Sequence, residues 1–339
     1  MKRIPAFVAI TGLGLEIPGL ESAPAAWQGA GPAPAPAEFN PEPKLGKKGL
    51  LYKDRATKLA LCAAKAALED AGLPATPVGQ ADPERFGVVV SSNFGNLDTV
   101  CRVAEIIRGK GVAETSSMDL PNASSNVIAT TLSIRFGLKS LNLMICNGAT
   151  SGTDALYVAA NAIRAGRATR MLVVGVETDN AVVAKLLADS GESPGGPRIL
   201  DGAGAVVLES REAARERGAK PRAFIGDYAH GDSFATGPVP ELVQANAGPA
   251  SAWFTPNRAL EPARGRVNEA LDGWSAGDGS RLRDVSAQLG ECYGALGVLQ
   301  CIAACSWLAA HPAGYALATS GGVWGDDTFS SLGILARAD

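Results

Sequence analysis

The stretch Leu141–Leu156 constrains this chain more than any other. It reads L-N-L-M-I-C-N-G-A-T-S-G-T-D-A-L. An apolar strand runs into a tight turn of small residues and then into a helix. Such a bend exposes the side chain at its apex and sets it at a helix N-terminus, where a thiol pKa falls, the setting a nucleophilic cysteine needs. The pattern predicts a strand over Leu141–Cys146 and a helix over Ser151–Ala165. Ala155, Val158, Ala159 and Ala162 share one face of that helix.

The rest of the chain alternates strands with helices. Ala6–Gly14 reads as a buried strand that Gly12 and Gly14 close in a turn. A helix follows over Asp54–Ala71, with Leu59, Cys62, Ala63, Ala66 and Ala67 on one stripe and Gly72 as its stop. Strands are predicted at Phe86–Ser91, Met171–Gly175 and Ala203–Leu208, and helices at Leu97–Arg108 and Asn126–Phe136. The order recurs in reduced form later: a strand at Arg222–Tyr228, a helix near Gly294–Ala310, and strands near Tyr315–Thr319 and Leu332–Ala336. Ser233–Ala263 carries little pattern. This alternation predicts a layered α/β protein of two related halves, 1–215 and a shortened 216–339, packed as one unit.

Composition narrows the function. With 339 residues, 46% apolar and 19% charged, the chain can bury a sizeable core. A net charge of −3 leaves no basic footprint for nucleic acid or an anionic membrane. The apolar helix near Gly294–Ala310 is interrupted by Gln300 and Ser306 and is short for a membrane span, so it reads as a core helix. Met1–Pro5 leads into a short strand, not an apolar leader, so no signal peptide is expected. None of the six cysteines forms a C-x-x-C pair, which predicts reduced core thiols and a cytoplasmic protein. Cys146 is expected to face the packed interior. The two histidines, His230 and His311, have no ligand spacing and read as surface residues; no metal and no cofactor is expected.

Several strings, taken together, resemble one family. They are Ile10-Thr11-Gly12-Leu13-Gly14, Lys53-Asp54-Arg55, Ala67–Leu73, Arg85–Val89, Leu120-Pro121-Asn122, Ser133–Lys139 and Asp201–Glu209, and with the elbow at 141–156 they stand in the order of the β-ketoacyl synthases. The resemblance implies a thiolase-like five-layered αβαβα fold with two related halves, and a two-fold dimer built across the strand Leu141–Cys146.

The resemblance also implies where the chemistry should be, and each position departs from it. The family's cysteine stands two residues before a Ser-Gly pair; before Ser151-Gly152 that residue is Ala149. One histidine ends a K-S-x-x-G-H pattern, which here is Ser286–Glu291, ending in Glu291. The other falls near Asp272 or Leu271. The closing G-F-G-G turn becomes Gly321-Gly322-Val323-Trp324-Gly325. A methyl group cannot attack a thioester, and carboxylates oppose the anion that malonyl decarboxylation builds. Ketosynthase-like decarboxylases that lack the cysteine keep their histidines; this chain does not.

The chain is therefore expected to be non-catalytic, with Ala149, Asp272 and Glu291 as vestigial positions. The resemblance implies a chain-length factor that pairs with an active ketosynthase, leaves acyl carrier protein delivery to that partner, and lines the acyl tunnel. Asn126, Ser151, Val323 and Trp324 are the candidate tunnel residues, and the helix Asn126–Phe136 the candidate gate. The alternative is a stand-alone acyltransferase, hydrolase or decarboxylase that uses Glu291, Asp272 or Ser151.

Overall fold

The computed structural model describes residues 7–20, 38–189, 198–231, 251–256, 282–312, 314–322 and 328–336. Its strands are β1 (Val8–Glu16), β2 (Phe86–Ser91), β3 (Asn142–Ile145), β4 (Arg170–Glu177), β5 (Gly202–Ser210), β6 (Ala223–Gly231), β7 (Ser251–Phe254), β8 (Leu282–Arg283), β9 (Tyr315–Gly321) and β10 (Phe329–Leu335). The helices that position the site are α1 (Arg55–Asp70), α2 (Leu97–Lys110), α3 (Val127–Phe136), α4 (Ser151–Arg164), α5 (Ala181–Asp189) and α6 (Arg211–Glu216), then α7 (Leu296–Ala310).

The ten strands are hydrogen-bonded in the order β3-β2-β4-β5-β1-β6-β10-β9-β7-β8. Read outward from the centre, the two flanks repeat each other. β1 pairs antiparallel with β5, β5 antiparallel with β4, and β4 and β3 each parallel with β2. On the other side β6 pairs antiparallel with β10, β10 antiparallel with β9, and β9 and β8 each parallel with β7. Order and direction both recur, so the relation between halves, which residue identities do not reveal, is written in the topology. The flanks meet through β1 and β6, from Val8 opposite Ile225 to Ile10 opposite Ala223.

The first-flank strands are apolar without alternation because both faces are covered. Val88 and Val90 of β2 and Leu172 and Val174 of β4 face a core built with α1 and α3. Val89, Met171 and Val173 face a second core built with α4 and α7, which Ile225, Phe254, Ala318 and Leu332 of the other flank complete. Four layers follow: helices, strands, helices, strands. The fifth predicted layer lies outside the described residues.

Two glycine-rich points set the spacing. Gly12 and Gly14 do not end β1 in a turn, as the sequence suggested. They lie within the strand, where a Cβ on Gly14 would stand 2.1 Å from the carbonyl oxygen of Ala63. They are there because α1 lies directly on the strand. The second point is where α4 and α7 meet. A Cβ on Gly152 would lie 2.7 Å from the amide of Gly297, and one on Gly297 only 2.2 Å from that of Thr153. A 3₁₀ turn leads into each helix, Gly148–Thr150 and Tyr293–Ala295. The elbow thus has a counterpart in the second half, and the two touch backbone to backbone.

α7 with the turn before it, Tyr293–Ala310, is long and apolar enough to cross a membrane, but 78% of it is buried inside the fold, as expected of a core helix.

Candidate functional site

The elbow forms as its sequence demands. β3 ends at Ile145, the 3₁₀ turn Gly148–Thr150 follows, and α4 starts at Ser151. Gly148 adopts φ +85°, a conformation open to glycine without strain. Ala149 lies in that turn and is buried. The apex therefore offers a methyl group at the N-terminus of a 14-residue helix.

The hydroxyl nearest the apex is spent on structure. Ser151 is wholly buried. Its Oγ accepts the amide of Asn147 at 2.9 Å and lies 2.7 Å from the carbonyl oxygen of Gly148 and 3.1 Å from Oδ1 of Asn93, to which it donates. Among the described residues no general base touches it. Of the chain's two histidines, His311 stacks on Trp307 at the far end of α7. His230 approaches the elbow from behind, with Nδ1 3.9 Å from Oδ1 of Asp154. Asp154 is already held by Tyr228 Oη at 2.8 Å, Asn147 Nδ2 at 2.5 Å and Thr150 Oγ1 at 2.9 Å. These contacts brace the turn and bring no nucleophile to it.

Cys146 differs from expectation. It is exposed, because among the described residues β3 is an edge strand paired on one side only. The thiol donates to the carbonyl oxygen of Asn93 at 3.6 Å. Burial of the sulfur, and then the nearby Glu177 charge, push its pKa up, opposite to what a nucleophile requires.

Glu291, expected at the family's histidine position, is buried. One carboxylate oxygen accepts the amide of Tyr293 at 2.9 Å, and its backbone bridges Arg198 and Leu200. Tyr293 holds φ +40°, strained for a side chain of its size, and packs edge-on against Phe94 at 4.9 Å. Phe94, Tyr293, Val183, Leu187 and Ile199 form an apolar cluster beside these carboxylates. Ser286, expected at the family's lysine position, is buried, and Asn126 is exposed at the start of α3. Asp272, Val323 and Trp324 lie outside the described residues, so the pairing of Asp272 with Glu291 does too. Among the described residues no cluster of His, Cys, Asp and Glu could hold a metal ion.

One residue escaped the sequence reading. Glu177 ends β4, is wholly buried, and accepts donors from both sides of the site. Its signal was a carboxylate closing the apolar run R-M-L-V-V-G-V-E, where a charge demands partners.

Known proteins match this arrangement. The model of the β-ketoacyl synthase N-terminal domain matches residues 35–193, which include β2, β3, the elbow and β4. Over residues 35–193, a little under half of its length, the chain is thus similar to the β-ketoacyl synthases. A 3-oxoacyl-[acyl-carrier-protein] synthase 2 of Vibrio cholerae is 28% identical over 272 residues, 75% of this chain and 65% of that enzyme. The chloroplastic 3-oxoacyl-[acyl-carrier-protein] synthase I of Arabidopsis thaliana is 26% identical over 299 residues, 78% of this chain and 63% of its own length. The match thus spans a little under two thirds of these relatives. Among solved structures, the ishigamide ketosynthase/chain length factor aligns with TM-score 0.77 and 23% identity over 98% of this chain and 100% of that one. A type II polyketide ketosynthase in complex with its acyl-carrier protein, AntDE:AntF, aligns with TM-score 0.79 and 15% identity over the same shares. The α/β thiolase-like ketosynthase fold is therefore shared.

Proposed function

We propose that this ketosynthase-like chain is a non-catalytic subunit of the chain-length-factor kind, which pairs with an active ketosynthase and shapes its acyl tunnel in polyketide or fatty-acid-like synthesis. One observation carries the reading: the elbow is intact, yet its apex is Ala149, and the neighbouring hydroxyl of Ser151 is consumed inside the turn. A scaffold kept without its reacting group serves through shape. The likeness to the ishigamide ketosynthase/chain length factor supports the kind of partner.

The free edge of β3 supports the pairing. Leu143 is 36% exposed, and the strand leaves one side unpaired, a template for another chain. A second apolar surface bears on the gate. α3 turns Val127, Ile128, Leu132 and Phe136 into its own core. It leaves Ile134 outward, 73% exposed, and α2 with the segment after it adds Val100, Ile107, Val112, Met118 and Leu120 to the outward apolar side chains. Asn96 clamps the base of this excursion by donating to the carbonyl oxygens of Asn122 and Ser124 at 2.6 and 3.0 Å. We assign the reach toward the partner's tunnel to 97–120 together with the outer face of α3 at Ile134.

The relatives' names are those of working synthases, so the alternative is an active enzyme. Such an enzyme, purified alone, turns over acyl thioesters. The partner-subunit reading expects inertness alone, and a stable, active complex when co-expressed with a ketosynthase encoded beside it. A homodimer that condenses acyl and malonyl thioesters would remove this reading.

A further inference from the structure

What Glu177 does for pairing rests on the partner-subunit reading. Its carboxylate receives four donors from two separate segments. Ser92 Oγ at 3.0 Å, Asn93 N at 2.6 Å and Phe94 N at 3.2 Å come from the loop after β2. Gly294 N at 3.1 Å comes from the turn before α7. Asn93 then passes the constraint outward. Its Oδ1 accepts Ser151 Oγ at the elbow, and its carbonyl oxygen accepts the Cys146 thiol at the end of β3. An unbroken series of hydrogen bonds runs from a buried carboxylate to the open strand edge.

We propose that Glu177 is a positioning carboxylate whose ionised form fixes the end of β3 and the elbow for pairing with the partner subunit, and whose protonation loosens that grip. The neutral form carries a hydroxyl among four groups that all point donors at it. Ser92 Oγ is the one of them that can also accept, with the amide of Gly95 at 2.8 Å on one of its two lone pairs. A protonated Glu177 therefore turns the Ser92 bond around and holds the three amides without the charge that strengthens those bonds.

The titratable groups around it do not relieve this. Cys146 faces it from the end of β3, and Cys292 from before α7; both feel its charge. Glu291 holds the amide of Tyr293, next to the Gly294 amide that Glu177 holds. Among the described residues no lysine or arginine forms an ion pair with Glu177. Burial, opposed by the bonds from Asn93, Phe94, Ser92 and Gly294, leaves its pKa raised to about 7, so the change falls near neutral pH.

The sign follows from burial. Glu177 is already wholly enclosed, so pairing cannot desolvate it further. Pairing can only order its donors, which favours the carboxylate. By linkage, pairing strengthens as pH rises through about 7.

The test is the dissociation constant of the co-expressed heterodimer between pH 6 and pH 8.5, for the native chain and Glu177→Gln. The native pair is expected to bind on the order of tenfold tighter at the upper end, and Glu177→Gln to bind weakly with no step. The same step in both proteins overturns the role of Glu177 while leaving the pairing intact. No pairing at any pH overturns the partner reading itself. Should Glu177→Gln fail to fold, hydrogen exchange in the native heterodimer decides: protection of the Asn93 and Phe94 amides, corrected for intrinsic rate, must fall as pH drops below 7. Protection flat across that range would overturn the proposal.

Discussion

At the residue scale the elbow separates geometry from chemistry. The strand, the turn and the helix N-terminus persist around Ala149, and on the partner-subunit reading the apex lacks a sulfur atom. Ala149→Cys is therefore expected to gain covalent acyl loading from an acyl thioester, read as an acyl-sized mass increase on the peptide that carries residue 149. It should not gain condensation, since neither His230 nor His311 reaches the apex. Loading on Cys146 instead would mean that the apex has been placed one turn too late. Glu177 supplies the second expectation at this scale. Its folded pKa is raised from 4.5 to about 7, chiefly by burial. A raised acid pKa adds stability that is complete below the unfolded value and is lost as pH rises through the folded one. Chemical denaturation of the isolated chain should therefore show a contribution on the order of 3 kcal/mol fading between about pH 4.5 and pH 7. Glu177→Gln should remove that slope. It should also lower stability at pH 5, because its amide N–H₂ opposes donors that the protonated acid partly satisfies. Ser151 makes the complementary point: the sequence placed it correctly at the turn, but which atoms its hydroxyl would bind depends on Asn93, 58 residues away.

At the element scale the crossing of α4 and α7 is the tightest joint. Gly297→Ala would drive a methyl to 2.2 Å from the amide of Thr153 and 2.5 Å from its hydroxyl. The cost is expected to be about 3 kcal/mol or more, because the obstacle is backbone and cannot yield. Gly109→Ala in exposed α2 is the control. It has nothing within 4 Å and should stabilise by roughly 0.5–1 kcal/mol. Urea denaturation of both variants checks the contrast; similar values would mean that the two helices do not touch. Elements like these also show what the sequence could carry. β2 was legible to the residue because Val88–Val90 sit between bounded turns, and α1 because Asp54 caps it through the amide of Thr57 at 2.6 Å. β7 and β8 were not legible. They are four and two residues long, and they exist because long-range pairing holds them, with Trp253 Nε1 reaching Thr319 Oγ1 at 2.8 Å. Gly12 and Gly14 were misread because glycine marks a turn and a close helix contact with the same letter.

At the scale of the whole molecule the informative error is Cys146. An apolar strand reads as buried, and L-N-L-M-I-C satisfied that rule, yet the fold leaves Cys146 exposed and the strand only half covered. Sequence reports that a surface must be buried, not by which chain. The family strings carried the two-halved architecture. The departures at Ala149 and Glu291 carried the proposal of a non-catalytic subunit, but neither could point to the open edge of β3. That edge gives the last expectation. Leu143→Lys places a charge on a side chain already 36% exposed, in a strand that among the described residues is paired on one side only. The isolated chain should keep its denaturation midpoint, with a change within about 0.5 kcal/mol. The same substitution should abolish co-purification with the ketosynthase, because a lysine on an edge strand opposes strand addition from another chain. Lost stability with pairing intact would mean that β3 belongs to the interior of this chain, and the partner would then have to dock on the apolar surface of 97–120 alone. Paired substitutions distinguish the two surfaces: Leu143→Lys should cost association, whereas Met118→Ala, on a side chain 49% exposed, should leave association nearly unchanged and alter the length of the acyl product made by the complex.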